Sequence, residues 1–289
     1  MDPRIQRLVA KIDKLPTLPV AATKIVQVVN NPNTTARDVN QLISTDQALA
    51  AKVLKLVNSA YYGLSNKVAS ITQAVVILGF NTIKSLALSA SVLDSFSAAE
   101  LGSFKRDEFW KHSLGVGVGA KLIAGLCRVP PKDQEEFFLA GLLHDMGKVV
   151  MDQYLHEEFS EVVGLTKDTG CSFLQAEREV LGGISHADIG KLLAEKWNLP
   201  ANLQDAIAFH HDPLQAKDGA TQTVAVHFAN ILCKSKHIGY SGDYEISGLN
   251  EQAVESLKIP PAALEKLIAE DIDREFKNAT IFLNMATGK

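Results

Sequence analysis

"FFLAGLLHDMGK", residues 137–148, carries the reading of this chain. Phe138, Leu139, Leu142 and Leu143 recur at helical spacing and lead straight to His144 and Asp145, with Gly147 and Lys148 just behind. A carboxylate beside an imidazole at the buried end of a helix is costly unless it is paired or metal-bound. Lys148 lies four residues from His144 and three from Asp145, on their side of a continuing helix. From there it either neutralises Asp145 or meets a phosphate oxygen. Adjacent His and Asp are common in sequences, so the motif needs support from elsewhere.

The helical period extends over the chain. No run of alternating β-branched and polar residues breaks it, so an all-α, multi-helix fold is expected. Ser70 with Gln73, and Ser185 with Asp188, have the spacing of capping boxes that start helices. Pro32, Gly63, Gly79, Pro130 with Pro131, Pro200 and Pro213 supply stops. The first 15 residues are amphipathic, with Ile5, Leu8, Val9 and Ile12 at helical spacing, and lack the apolar core of a signal peptide. "SLALSASVL" is far short of the roughly 20 residues that span a bilayer. A membrane location is therefore not expected, and the chain is read as cytoplasmic.

Of the 289 residues, 46% are hydrophobic and 21% charged, the makeup of a globular protein with a substantial core. The net charge of -4 and the lack of any Lys/Arg block give no support to a nucleic-acid partner. Cys127, Cys171 and Cys233 are far apart, which suggests neither a disulfide framework nor a thiolate zinc site. All eight histidines fall between residues 112 and 237. That asymmetry divides the chain into an N-terminal helical part (1–96), a histidine-bearing bundle (97–238) and a connection with a final helix (239–289). The first boundary is placed in "SFSAAELGSF", residues 95–104, and the final helix at about Pro261 to Met285.

Several histidines share one peculiarity. His186 lines up with Ile189, Gly190, Leu193 and Trp197, and His210 follows Leu203, Ala206 and Ile207, with His211 beside it. These are apolar faces, where a lone imidazole is usually a packed core residue. In "DEFWKHSLGVGVGAK", residues 107–121, Glu108 and His112 are four apart and share a helix face, a spacing suited to ligating an ion. Gly115 and Gly119 near that face admit either a second helix or a ligand. His112, His144, His186, His210 and His211, together with Asp145, form a set that is hard to read as independent accidents. Imidazoles with one carboxylate able to bridge suit Fe, Mn, Zn or Ni better than Mg or Ca. Two such ions are the usual arrangement for phosphoester hydrolysis. His156 and His237 are read as surface residues, and His227 as core packing in preference to a cavity-facing role.

The order His112, then His144–Asp145, resembles the HD superfamily of metal-dependent phosphohydrolases. "LPTLPVAATKIVQVV" (15–29), "LISTDQALAAKVLKLVNSAYYG" (42–63) and "ASITQAVVILGFNTIKSLALS" (69–89) closely resemble the HDOD domain, the HD-related output domain of bacterial signalling proteins, from about Leu15 to about Pro213. The resemblance implies an N-terminal short-helix bundle packed on an HD-like bundle, and a regulatory role in signalling. Compared with the related HD-GYP phosphodiesterases, matching residues stand at Glu108, His112, His144, Asp145, Gly147, Lys148, His186, His210 and His211. The "GYP" loop is absent, and Asn230 in "HFANIL" stands where the late HD aspartate is expected. An amide offers one oxygen but no charge and no base. The reading implied is a regulatory HDOD protein keeping one or two ions, Fe or Mn ahead of Zn or Ni, on His112, His144, Asp145, His186, His210 and His211, with Glu108 and Asn230 as weaker ligands. A signalling protein and a phosphate-containing small molecule are the expected partners. The alternative is an active phosphohydrolase on a nucleotide or other phosphoester, with Asp145 and Lys148 serving the chemistry.

Overall fold

A computed structural model describes residues 18, 20–31, 33–95, 105–243, 246 and 248–286. The amphipathic segment at the N-terminus and most of the proposed boundary at 95–104 lie outside the described residues. Among those described there is no strand, and the architecture is all-α as expected. No helix among them is long and apolar enough to cross a membrane.

The N-terminal helices are α1 (Val20–Asn30), α2 (Ala36–Thr45), α3 (Gln47–Val57), α4 (Ile71–Leu78) and α5 (Phe80–Ser95). Local chemistry starts and stops them. Thr35 and Asp38 form a reciprocal capping box on α2. Ser70 caps α4 by accepting from Gln73 N at 3.1 Å, while the Gln73 side chain reaches back to Ala69 N instead of closing the box on Ser70. Gly79 ends α4 at φ 86°, a value that favours glycine.

The histidine-bearing part comprises α6 (Arg106–Leu126), α7 (Gln134–Leu143), α8 (Met146–Tyr154), α9 (His156–Thr169), α10 (Phe173–Val180), α11 (His186–Lys196), α12 (Ala201–Phe209) and α13 (Ala220–Ser235). Helix α6 is its axis, packed along α7 and α13. A Cβ on Gly141 of α7 would fall 2.7 Å from the Gly117 backbone of α6, so those two helices touch backbone to backbone. Gly119 abuts Ala229 of α13, and Gly115 abuts Ile238 and Cys233. Of the two openings left for this glycine face, a second helix or a ligand, the structure takes helix packing.

The chain closes with α14 (Glu251–Ser256), α15 (Pro261–Lys266), a π turn (Leu267–Asp271), α16 (Ile272–Ala279) and α17 (Ile281–Ala286). The final helix is thus less regular than expected. Leu267 and Ile272 are both buried although five apart, and the wider π turn keeps them on one face. Helix α5 rests on α7, and α17 on α3, α5 and α6, where Phe282 meets Tyr61 and Phe138 at ring-centroid distances of 5.7 and 4.9 Å. Buried apolar residues from Leu18 to Phe282 form one continuous core.

Candidate metal centre

Four helix ends deliver the site. The helix expected to run through "LLHDMGK" breaks: α7 stops at Leu143, Asp145 turns at φ -98°, ψ 12°, and α8 begins at Met146. The break points His144 and Asp145 into the core between the two helices, both essentially inaccessible. His186 opens α11, held there by Ser185 and Asp188, whose carboxylate accepts the Ser185 N–H at 2.9 Å. A Cβ on Gly147 would fall 1.9 Å from the His186 carbonyl oxygen, so only glycine lets α8 pass this close to α11. His210 and His211 follow the last turn of α12.

The hydrogen bonds fix the tautomers. His144 Nδ1 lies 2.7 Å from Gly141 O and His210 Nδ1 2.9 Å from Ile207 O. A carbonyl oxygen only accepts, so each Nδ1 carries the proton and each Nε2 presents a lone pair. His186 Nδ1 donates to Glu177 Oε2 at 2.6 Å, with the same consequence for its Nε2. These lone pairs face the Asp145 carboxylate: Oδ1 is 3.0 Å from His186 Nε2 and 3.5 Å from His210 Nε2, and Oδ2 is 3.4 Å from His144 Nε2. His211 Nε2 lies 3.1 Å and His210 Nε2 3.2 Å from His186 Nε2. His144 Nε2 and Asp145 Oδ1 are buried and make no hydrogen bond.

Acceptors gathered this closely repel one another unless positive charge, a proton on His186 or a metal ion, lies among them. Donors bonded at about 2.0–2.1 Å to one ion sit about 2.9–3.4 Å apart, the spacing seen here. The arrangement around His186, His210 and His211 therefore fits a transition metal, and His112, His144 and Asp145 form a second, separate group whose candidate ligand atoms lie within 4.8 Å of one another. Asp145 faces both.

The electrostatics agree. Burial, then the neighbouring His144, push His112 down to about 3, and burial pushes His210 to about 3 against the pull of Asp145. Burial and then His210 lower His211 well below the usual imidazole range. Neutral imidazoles are the form that ligates. His186 goes the other way: burial opposes its charge, but the Glu177 and Asp145 carboxylates outweigh it and raise the pKa. Asp145 is held well below the ordinary carboxylate range, because His144, Lys148 and His186 override burial.

Of the two roles left open for Lys148, the structure shows the neutralising one, since Nζ donates to Asp145 Oδ2 at 2.8 Å. Asn230 places Oδ1 3.0 Å from His112 Nε2. Glu108 is not brought to the cluster. Its carboxylate is about a third exposed and pairs instead with Lys111, three residues on along α6, at 2.5 Å. His156 and His237 are exposed, as expected. His227 combines both readings weighed for it: its Nδ1 donates to His210 O at 2.7 Å, its Nε2 accepts the Asn250 N–H, and it borders the cavity beside the cluster.

That cavity, about 140 Å³, is bounded by Lys148, Phe173, His186, His210, His211, Asn230, Lys234 and Asp243. Glu177, Lys234 and Asp243 escaped the sequence reading. Glu177 was detectable by the signal that exposed the histidines: it falls with Phe173, Ala176 and Val180 on the buried face of α10. Asp243 lies on an irregular connection, where no periodicity flags a buried charge.

A family model of the HDOD domain matches residues 15–213. An HDOD domain protein of unknown function from Geobacter sulfurreducens superposes with a TM-score of 0.80 at 29% identity, covering 97% of this chain and 96% of the other. A Shewanella amazonensis chain provisionally called a phosphohydrolase superposes with a TM-score of 0.67 at 25% identity, covering 97% and 96%. An uncharacterised protein of Treponema pallidum is 30% identical over 236 residues, which make up 78% of this chain and 43% of that protein. The chain spans less than half the length of the curated relatives it matches.

Proposed function

Because this chain belongs to the HDOD domain family and brings together His and Asp side chains that could hold a metal ion, we propose that it is a bacterial regulatory protein of signalling pathways built around a transition-metal centre. The carrying observation is the convergence of the His144, His186 and His210 Nε2 lone pairs on Asp145, where two buried donor atoms have no hydrogen bond. His186, His210, His211 and Asp145 would hold one ion. His112 and His144 would share a second with Asp145, weakened because Asn230 brings no charge. Iron or manganese is the expected metal, and a signalling protein the expected partner.

The chain's own residues prepare such a site. Glu177 and the Ile207 and Gly141 carbonyls hold the imidazoles in the ligating tautomer, and Lys148 compensates the buried Asp145. Metal content of protein purified without chelator tests the proposal. It calls for at least one equivalent of a transition metal, lost in Asp145→Ala; substoichiometric metal in the parent protein refutes it.

A second reading, hydrolysis of a nucleotide or other phosphoester, is favoured by the lysines that border the cavity next to the donors, and by the name of the Shewanella amazonensis relative. A bound metal would supply Lewis-acid polarisation and a more acidic water. Lys148 and Lys234 would orient the phosphate, while Asn230, unable to act as a base, would not move its protons. Turnover on phosphomonoester, phosphodiester and nucleotide substrates with added Mn or Fe distinguishes the readings. Equal rates in the parent and Asp145→Ala eliminate hydrolysis at this site.

A further inference from the structure

Next to the metal donors is a second polar arrangement, joined to them through Lys148, whose ammonium donates to Asp145 Oδ2 at 2.8 Å. Lys234, on α13, is 9% exposed, and its ammonium pairs with Asp243 Oδ1. The other oxygen of Asp243 accepts the Phe173 N–H at 2.7 Å. Phe173 is the first residue of α10, so this N–H is one of the donors that a helix N-terminus leaves without an intrahelical partner. Lys148 stands over the Phe173 ring, 5.1 Å from its centroid. Lys148, Phe173, Lys234 and Asp243 all border the cavity that His186, His210 and His211 border.

We infer that Lys148, Lys234 and the Phe173 N–H form a seat for a phosphate group, which the Asp243 carboxylate fills when no such ligand is bound. A carboxylate spanning an ammonium and a helix N-terminal N–H takes up contacts that suit a phosphate oxygen equally well. A phosphate brings a third oxygen and more charge, so it competes with Asp243 with an electrostatic advantage. Size sets the ligand class. About 140 Å³ is well under the roughly 300 Å³ at which sites for whole small molecules begin, so the cavity takes a terminal phosphate and leaves the remainder of the ligand outside. Asp243 thereby sets a threshold: only an anion strong enough to displace it reaches the donor set. The inference deepens the phosphoester reading and rests on it for the identity of the ligand, while the seat itself stands on the lysines, the N–H and Asp243.

Calorimetric titration of the full chain with inorganic phosphate, as purified and after chelation, tests this. Asp243→Asn keeps an oxygen for the Phe173 N–H and removes the charge. It is expected to bind phosphate at least tenfold tighter than the parent in both preparations, and Lys234→Gln added to it is expected to abolish the gain. Equal affinity in the parent and Asp243→Asn overturns the inference, as does a gain that survives Lys234→Gln. A measurement on the unaltered chain guards against misfolding: saturating phosphate should speed amide exchange over residues 239–243, and unchanged exchange also overturns the inference. Metal content of the same samples keeps the outcomes separate, since a chain without metal defeats the metal-centre proposal while phosphate binding after chelation still judges the seat.

Discussion

Glu177 Oε2 lies 2.6 Å from His186 Nδ1 and also accepts the His186 N–H at 3.2 Å, so one buried carboxylate grips both the ring and the backbone of the first residue of α11. That grip aims His186 Nε2 at Asp145 and the other imidazoles. Outer partners of this kind are commonly worth about 10–100-fold in metal affinity. Glu177→Gln should lower affinity by that order while the fold survives, as measured by competition with a chromogenic chelator. Unchanged affinity would show that α11 packing alone orients the ring.

Asp145 and Lys148 form a fully buried ion pair. Deleting one partner leaves the other charge uncompensated, at a cost of about 3–5 kcal/mol. Urea unfolding of chelated protein should show Asp145→Ala destabilised by that order, and Asp145→Ala with Lys148→Met recovering most of the loss. Both variants should lack metal, which separates the stability role from ligation.

Gly147 is a test of geometry. A Cβ there would collide with the His186 carbonyl, an atom that cannot swing aside. Gly147→Ala should cost about 3 kcal/mol or more and weaken metal binding, because α8 and α11 must separate. Gly164, whose Cβ would meet nothing within 4 Å, is the control: Gly164→Ala should be neutral or slightly stabilising in the same thermal melts.

The apo protein should be acid-sensitive. His112 and His210 have folded pKa values of about 3 against an ordinary 6.5, so below 6.5 the unfolded chain binds protons that the folded chain refuses. Stability from these residues is present above pH 6.5 and lost as pH falls toward 3. His186 has a raised pKa, so its contribution is complete below 6.5 and does not offset the slope. Chelated protein should therefore show a melting temperature that falls steadily from pH 6.5 downward, and a flat profile to pH 4 would contradict the assigned burial.

The donor set was legible because imidazoles on apolar helix faces violate the amphipathic pattern, and the pattern depends only on local spacing. His186, His210 and His144 stood out for that reason. The break at His144–Asp145 was not legible: "HDMGK" contains no proline, and the turn accompanies the packing of α7 on α6 and of α8 on α11. Glu108 shows the opposite failure. Sharing a helix face with His112 is a statement about direction only, and the Glu108 carboxylate turns instead to the Lys111 ammonium three residues on. Asn230 was identified from the motif alone, yet its contact with His112 Nε2 needed the crossing of α6 and α13.

If a cation belongs among these lone pairs, anomalous diffraction from crystals of protein purified without chelator will show a peak at a transition-metal edge about 2.0–2.3 Å from the Nε2 atoms of His186 and His210 and from an Asp145 oxygen. Full-occupancy protein density with no anomalous peak, and water or direct His–Asp hydrogen bonds between those atoms, would contradict it.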